Sequence, residues 1–125
     1  MNDALLRLLL ILIALVTAIS GLIQIILPGM VLAFLTPSSD ELHRQLFATV
    51  GMFMLVTGSL FLQGLWNRTP GKALPFWIGV QKLLAAVFVT RGVYVGVFMP
   101  MAIGVASFDA LSAFLCFIFA KRIAR

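Results

Sequence analysis

The chain has 125 residues, of which 62% are hydrophobic and only 10% are charged, and its mean hydropathy is +1.15. A soluble domain of this size buries only about two thirds of its chain surface and needs many polar residues outside, so this composition excludes a water-soluble globule. The single cysteine excludes a disulfide scaffold, and a net charge of +5 on so little polar surface disfavours nucleic-acid binding.

Four apolar stretches make up most of the chain, at about residues 5–27, 46–66, 74–98 and 101–120. Each is close to the roughly 20 residues that a helix needs to cross about 30 Å of hydrocarbon. Strands are a poor alternative, because a four-stranded sheet in lipid would leave unsatisfied edges. The sequence therefore predicts one all-α domain over residues 1–125, an integral membrane antiparallel four-helix bundle with short loops.

The first stretch continues beyond Pro28-Gly29 to Leu35, which is too long for one spanning helix. We expect a kink at Pro28 or a segment along the membrane interface. Arg7, the apolar residues after it and Ala18-Ile19-Ser20 also resemble a secretory signal with its cleavage site. The apolar run continues to Leu27, as expected of an anchor that is retained.

The second stretch is preceded by Ser39-Asp40-Glu41, a pattern typical of an N-cap with acidic residues in the first turn. The helix is therefore expected to begin before it enters the membrane. His43, the only histidine, lies beside Asp40 and Glu41 in this outer loop region. No second histidine or cysteine completes a tetrahedral set, so we expect a capped helix start and no metal site.

Charged residues inside the third and fourth stretches are the strongest functional signal. At about 1.5 Å per residue, Lys82 lies roughly 12 Å from the start of the third span, and Asp109 lies roughly 12 Å from the start of the fourth span on the opposite side of the membrane. Their depths in the membrane therefore differ by only about 6 Å. An isolated charge at the centre of a bilayer costs about 2.5 to 3.5 kcal/mol on insertion scales. Lys82 and Asp109 are therefore predicted to face the interior of the bundle and to pair, directly or through water.

Arg91 follows Lys82 by nine residues, which places the two roughly 180° apart around a straight helix. It lies nearer the outer boundary, where it can reach phosphates or meet Asp40 or Glu41. Tyr94 lies one turn further along and is expected to support Arg91 by stacking or a hydrogen bond. Arg91 and Tyr94 are candidates either for an interfacial anchor or for an outer anion site.

Small residues recur on one face of several predicted helices, at the spacing that lets membrane helices approach closely. Helix packing is the expected explanation for all of them. They are Ala14, Ala18 and Gly21 in the first, Gly51 and Gly58 in the second, Gly92 and Gly96 in the third, and Ala102, Ala106 and Ala113 in the fourth.

The distribution of Lys and Arg predicts the orientation. With alternating spans, six basic residues fall on one side and only Arg44 falls on the other. Both termini are therefore predicted to be cytoplasmic, in a multi-pass membrane protein. The six are Arg7, Arg68, Lys72, Lys121, Arg122 and Arg125.

This pattern resembles the small bacterial four-helix membrane proteins grouped as DoxX-like. The resemblance rests on a first span ending in Pro28-Gly29, a glycine-bearing second span, basic Lys82 in the third span and polar Asp109 in the fourth. It implies a bacterial inner-membrane protein. Some members of the family are linked to quinone or thiol oxidation, but a lone Cys116 departs from dithiol chemistry.

The chain contains no glycine-rich phosphate loop, Gly-x-Ser-x-Gly or His-Glu-x-x-His motif, and we expect no catalytic residues and no cofactor. The favoured interpretation is a non-enzymatic membrane protein that binds a small apolar molecule or lipid, or serves as an accessory subunit of a membrane complex. The alternative is an oligomeric transporter or proton-conducting unit that uses Lys82 and Asp109. A quinone-linked redox protein is a weaker alternative. The expected partners are the lipid bilayer and either further copies of the chain or a larger complex.

Overall fold

The structure is a computed structural model that describes residues 1–67 and 70–124. It contains five helices: α1 (Asp3–Ile26), α2 (Pro28–Leu32), α3 (Glu41–Trp66), α4 (Ala73–Tyr94) and α5 (Ala102–Ile123). No strand occurs within the described residues. The prediction of an all-helical fold is confirmed, and α1, α3, α4 and α5 are each long and apolar enough to cross a membrane.

The ends of the first three helices are set by capping side chains and by a proline. The side chain of Asn2 accepts a hydrogen bond from the Leu5 amide at 2.7 Å and so caps the start of α1. Helix α1 ends at Ile26, and Pro28 opens the short helix α2, so the expected break at this proline is present. Asp40 caps α3, which begins before the apolar stretch, as predicted.

Helix α4 ends at Tyr94, four residues before the predicted end at residue 98. Gly96 takes a positive φ of 82°, and its amide donates to the Val93 carbonyl at 3.1 Å, while the Val97 amide donates to the Gly92 carbonyl at 2.9 Å. These two bonds form a Schellman motif, which ends a helix at a left-handed residue. Gly96 therefore terminates α4 and is not a packing residue within the helix. A Cβ added to it would contact nothing within 4 Å.

Helices α1 and α3 form an antiparallel pair in which the two backbones touch. A Cβ on Gly21 would lie 2.5 Å from the Gly51 carbonyl oxygen, and a Cβ on Gly58 would lie 2.7 Å from the Ala18 amide nitrogen. The numbering rises along one helix as it falls along the other, which establishes the antiparallel arrangement. The small residues predicted to allow close packing of the first two spans do so.

Helices α4 and α5 form the second antiparallel pair, whose contacts run through side chains. A Cβ on Gly79 would lie 2.9 Å from the Phe117 ring and 3.2 Å from Cβ of Cys116. Three residues further along α4, Lys82 meets Asp109 of α5. Ala106 and Ala113, one turn on either side of Asp109, are buried against the partner helices.

The two pairs meet in one hydrophobic core towards the end of the bundle where α1 begins and α5 finishes. We call this the basic end, because Arg7, Lys72, Lys121 and Arg122 lie there. Arg122 donates to the Asp3 carboxylate at 2.6 Å and to the Met1 carbonyl at 2.9 Å, so the described ends of the chain lie together. The core consists of Leu6, Leu10, Ile13, Ala14, Phe61, Leu65, Ile78, Leu115, Cys116 and Phe119.

The outside of the bundle is as apolar as the inside. Large hydrophobic side chains are exposed along every long helix, among them Leu12, Phe53, Phe88 and Phe114. A monomer in water rarely exposes a continuous apolar surface of this extent. The exterior therefore suits contact with lipid or with other apolar protein surfaces.

Candidate functional site

Lys82 of α4 and Asp109 of α5 form an ion pair inside the bundle. Lys82 Nζ lies 2.9 Å from Oδ1 of Asp109, and the two residues are only 4% and 8% exposed. The pair has the interior position and the direct contact that the depths of the two residues in their helices predicted. A pair of opposite charges that is removed from water needs good geometry and further hydrogen bonds to offset its desolvation.

The ammonium group of Lys82 meets those needs in three directions. Besides Asp109, it donates a hydrogen bond to Oγ1 of Thr17 at 2.8 Å. The ring of Phe108 lies on a further side, with its centroid 5.2 Å from Nζ. An ammonium group carries three donors, and an aromatic face within about 6 Å attracts a cation. We call Thr17, Lys82, Phe108 and Asp109 the lysine cluster.

The small face of α1 explains how Thr17 reaches the lysine. Ala14, Ala18 and Gly21 let α1 approach its neighbours closely. Thr17 lies on the same face of α1 and is buried in the interior of the bundle. Its hydroxyl connects the α1–α3 pair to the α4–α5 pair. The lysine cluster therefore joins three of the four long helices at one point.

A small cavity adjoins Lys82 between α1, α3 and α4. Its volume of about 10 Å³ is the space of roughly one water molecule. Thr57 and Gln81 contribute polar groups to its wall, and Oε1 of Gln81 is a buried acceptor without a hydrogen-bond partner among the described residues. The cavity is far smaller than the several hundred Å³ of a typical small-molecule site, so it does not support the expectation of an apolar ligand bound beside the lysine cluster.

Arg91 and Tyr94 lie outside the lysine cluster, near the end of α4 opposite to the basic end. Both are exposed, and the side chain of Tyr94 is 90% exposed. Within the described residues, Arg91 forms no ion pair with Asp40 or Glu41 and no ring contact with Tyr94. The sequence predicts contacts of Arg91 with these residues, and the structure does not contain them within the described part of the chain. Its exposed position remains compatible with an interfacial anchor.

Asp40, Glu41 and His43 form the start of α3. The His43 amide donates to the Asp40 carboxylate at 2.9 Å, and this bond lowers the pKa of Asp40 below its ordinary value of 3.8. Nδ1 of His43 lies 2.7 Å from the same carboxylate. The described residues contain no group of three or more His, Cys, Asp or Glu side chains able to hold a metal ion. The arrangement is a helix cap.

Sequence reasoning found the two charges but missed their other contacts. Thr17 was recognisable as a polar residue on the small face of α1, yet its bond to Lys82 depends on how α1 packs against α4. Phe108 precedes Asp109 and carried no signal beyond its position. Gln81 precedes Lys82 in the same way, and only the packed structure shows that both border a cavity.

Searches among protein-family models, curated proteins and solved structures found no match to this chain. The resemblance to DoxX-like proteins therefore rests on the sequence pattern alone. What the site can do follows from its own chemistry: it holds one positive and one negative charge in contact, away from water. Cys116, the single cysteine of the sequence, is fully buried in the core.

Proposed function

We propose that this chain is a non-enzymatic integral membrane protein, in which the lysine cluster fixes how the two helix pairs pack and the apolar exterior contacts lipid or a partner subunit. The observation that carries the proposal is the complete pairing of Lys82. Two hydrogen bonds and an aromatic ring surround its ammonium group, and the adjoining cavity has room for only about one water. Such a group is suited to holding helices together rather than to turning over a substrate.

The location proposed is the inner membrane of a bacterium, with both termini in the cytoplasm. Four helices of sufficient length and apolarity support insertion. Arg7, Lys72, Lys121 and Arg122 share the basic end, whereas Arg44 and Arg91 lie towards the other end, which favours a cytoplasmic basic end. Arg68 and Arg125, which also entered the predicted charge balance, lie outside the described residues. A DoxX-like relationship is part of this proposal and rests on the sequence pattern.

A proton-conducting unit is the second candidate, and the cavity beside Lys82 is the observation that favours it. A water molecule there would meet the Thr57 hydroxyl and Oε1 of Gln81, which has no hydrogen-bond partner among the described residues, next to the Lys82–Asp109 pair. Chains of such groups carry protons in membrane proteins. A four-helix chain would need further copies of itself to complete a path across the membrane.

Cysteine labelling tests the location. The native Cys116 is buried, so the unmodified chain is the background for two variants, Ser38→Cys before α3 and Ala124→Cys after α5. A membrane-impermeant maleimide added to intact spheroplasts is expected to label Ser38→Cys and to reach Ala124→Cys only after permeabilisation. Labelling of both variants in intact spheroplasts would refute insertion with four spans, and the reverse pattern would refute the orientation.

Proteoliposomes separate the structural role from proton conduction. The double variant Lys82→Met/Asp109→Leu replaces both charges by apolar groups of similar length, so it is expected to fold and insert. Under the main proposal, vesicles holding a pH-sensitive dye acidify at the same slow rate with the native chain, the double variant or no protein. Rapid acidification that requires Lys82 and Asp109 would favour the second candidate and overturn the first.

A further inference from the structure

A groove at the basic end is a concave surface of the described residues that the lysine cluster does not explain. It lies between the start of α4 and the end of α5 and has a volume of about 520 Å³. Its lining includes two lysines, Lys72 and Lys121, and three aromatic residues, Phe76, Trp77 and Phe117. We call it the basic groove. Its size falls within the range of small-molecule sites, unlike the cavity beside Lys82.

The two lysines of the groove have no counter-ion within the described part of the chain. Only four acidic residues exist in the sequence. Asp109 pairs with Lys82, and Asp3 pairs with Arg122. The other two, Asp40 and Glu41, lie at the far end of the 26-residue helix α3, about 39 Å away along the helix axis. None of these four carboxylates therefore neutralises Lys72 or Lys121 within the described residues.

The walls of the groove are aromatic and held in place. The Phe76 ring packs edge-on against the Trp77 ring, with 5.4 Å between the ring centroids. It packs at a tilt against the Phe117 ring, with 5.9 Å between the centroids. Phe76 and Trp77 nevertheless keep 45% and 65% of their surface exposed. Exposed tryptophan and phenylalanine beside lysine are typical of the depth at which lipid headgroups meet acyl chains. The groove thus combines an apolar aromatic surface with two positive charges.

We propose that the basic groove binds an anionic phospholipid, whose phosphate lies between Lys72 and Lys121 and whose acyl chains lie along Phe76 and Phe117. The charge and the apolar wall together select this occupant, since a free phosphate ion uses only the lysines and a neutral lipid uses only the walls. A second copy of the chain would bring its own two lysines to the same place. The proposal rests on the membrane location proposed above.

Tryptophan quenching by brominated lipids tests the proposal, because the chain has only two tryptophans. In the Trp66→Phe variant, Trp77 reports on the groove. In the Trp77→Phe variant, Trp66 reports on a site at the same end that is not part of the groove. Both are reconstituted in phosphatidylcholine vesicles with increasing amounts of brominated phosphatidylglycerol. Trp77 is expected to be quenched well beyond the mole fraction of this lipid, and Trp66 only in proportion to it.

Replacing the lysines checks that charge causes the selectivity. Removing both in Lys72→Gln/Lys121→Gln is expected to weaken the preference of Trp77 for the anionic lipid by about 25-fold, or about fivefold for each lysine. The matched control Arg44→Gln/Arg91→Gln removes two charges at the opposite end and is expected to change nothing. Lys72→Arg/Lys121→Arg keeps the charges and is expected to keep the preference, which covers the case in which the glutamine variant does not fold.

Several results would overturn the lipid site. Equal quenching of Trp77 by brominated phosphatidylcholine would show a groove without headgroup selectivity. Relief of the quenching by millimolar inorganic phosphate would show a free-anion site. Protection of Trp77 from both lipids, with cross-linking of two chains through the groove, would show a dimer contact. Absence of quenching of both Trp66 and Trp77 by any lipid would instead overturn the membrane location itself, so the two failures are distinguishable.

Discussion

The two helix pairs pack in different ways. In the α1–α3 pair, the backbones meet at Gly21, Gly51 and Gly58, and the contact contains no charge. In the α4–α5 pair, the Phe117 side chain packs over Gly79 and an ion pair lies within the contact. Close backbone contact is possible in only one arrangement of the two helices, because other arrangements would bring larger side chains into the contact. An ion pair instead penalises any arrangement that separates its charges. The first pair is thus specified by shape and the second by charge.

Removing one charge of the α4–α5 pair should produce the largest effect. Lys82→Met leaves Asp109 buried without a counter-ion, and we expect the free energy of unfolding in detergent to fall by about 3 to 5 kcal/mol. The double variant Lys82→Met/Asp109→Leu should recover most of this loss, as followed by circular dichroism during denaturant titration. Arg91→Met, at an exposed position on the same helix, is the control and should change the stability by less than about 0.5 kcal/mol. Equal losses in the single and double variants would contradict specification by charge.

Enlarging a glycine tests the α1–α3 pair. The Cβ introduced by Gly58→Ala would meet the backbone of α1 at Ala18, which cannot move aside, so we expect a loss of about 1 to 3 kcal/mol. Gly104→Ala is the matched control, since a Cβ there contacts nothing within 4 Å. Gly104 lies in the first turn of α5, where that change should be neutral or should stabilise by at most about 0.5 to 1 kcal/mol. The same denaturant titration measures both, and a harmless Gly58→Ala would show that shape does not specify this pair.

The contact between the pairs depends on Thr17. Thr17→Val keeps the shape of the side chain but removes the acceptor for Lys82, and we expect a loss of about 1 kcal/mol. Combined with Lys82→Met, the substitution should cost much less, because its partner is already absent. Thr90→Val, at an exposed position on α4, is the control. An undiminished effect of Thr17→Val without the lysine would mean that packing, rather than the hydrogen bond, explains the loss.

The smallest effect concerns the helix caps, where the two members of the first pair again differ. Asn2 caps α1 without a charge, whereas Asp40 caps α3 with a carboxylate whose pKa is lowered by the His43 amide. A lowered pKa in the folded state means that the cap stabilises above the ordinary value of 3.8 and is lost as the pH falls through the lowered value. Amide exchange, corrected for intrinsic rates, should therefore show the first turn of α3 losing protection in acid.

The first turn of α1 provides the internal control once its own carboxylate is removed in Asp3→Asn, because the Asn2 cap does not titrate. Asp40→Asn should make the first turn of α3 equally insensitive to pH, since asparagine also caps helices well. Continued acid sensitivity in Asp40→Asn would assign the effect to a group other than this carboxylate.

The sequence predicts the helices well because their signals are local. Apolar length locates the four long helices, Pro28 locates the break after α1, and Asp40 locates the start of α3. The predicted end of α4 at residue 98 is wrong because Val95 and Val97 continue the apolar run, and hydropathy does not reveal that Gly96 takes a left-handed conformation.

The site was predictable in part for a similar reason. An unpaired charge is costly to bury in an apolar bundle, so the similar depths of Lys82 and Asp109 are enough to predict that the two residues pair. The role of Thr17 depends on the rotation of α1 about its axis, which several small residues together determine. Arg91 illustrates the opposite case, since an exposed charge has many acceptable positions and the sequence does not choose among them.

The Lys82–Asp109 pair also bears on how the proposed membrane protein is made. Its members lie 27 residues apart, on consecutive helices joined by a short connection. When α4 leaves the ribosome, its lysine has no acidic partner until α5 follows, so passage of α4 into the bilayer alone is opposed by a buried charge. We therefore expect the translocation machinery to hold α4 until α5 arrives and to release the two as one hairpin. Helices α1 and α3, which carry no such charge, are free to enter one after the other.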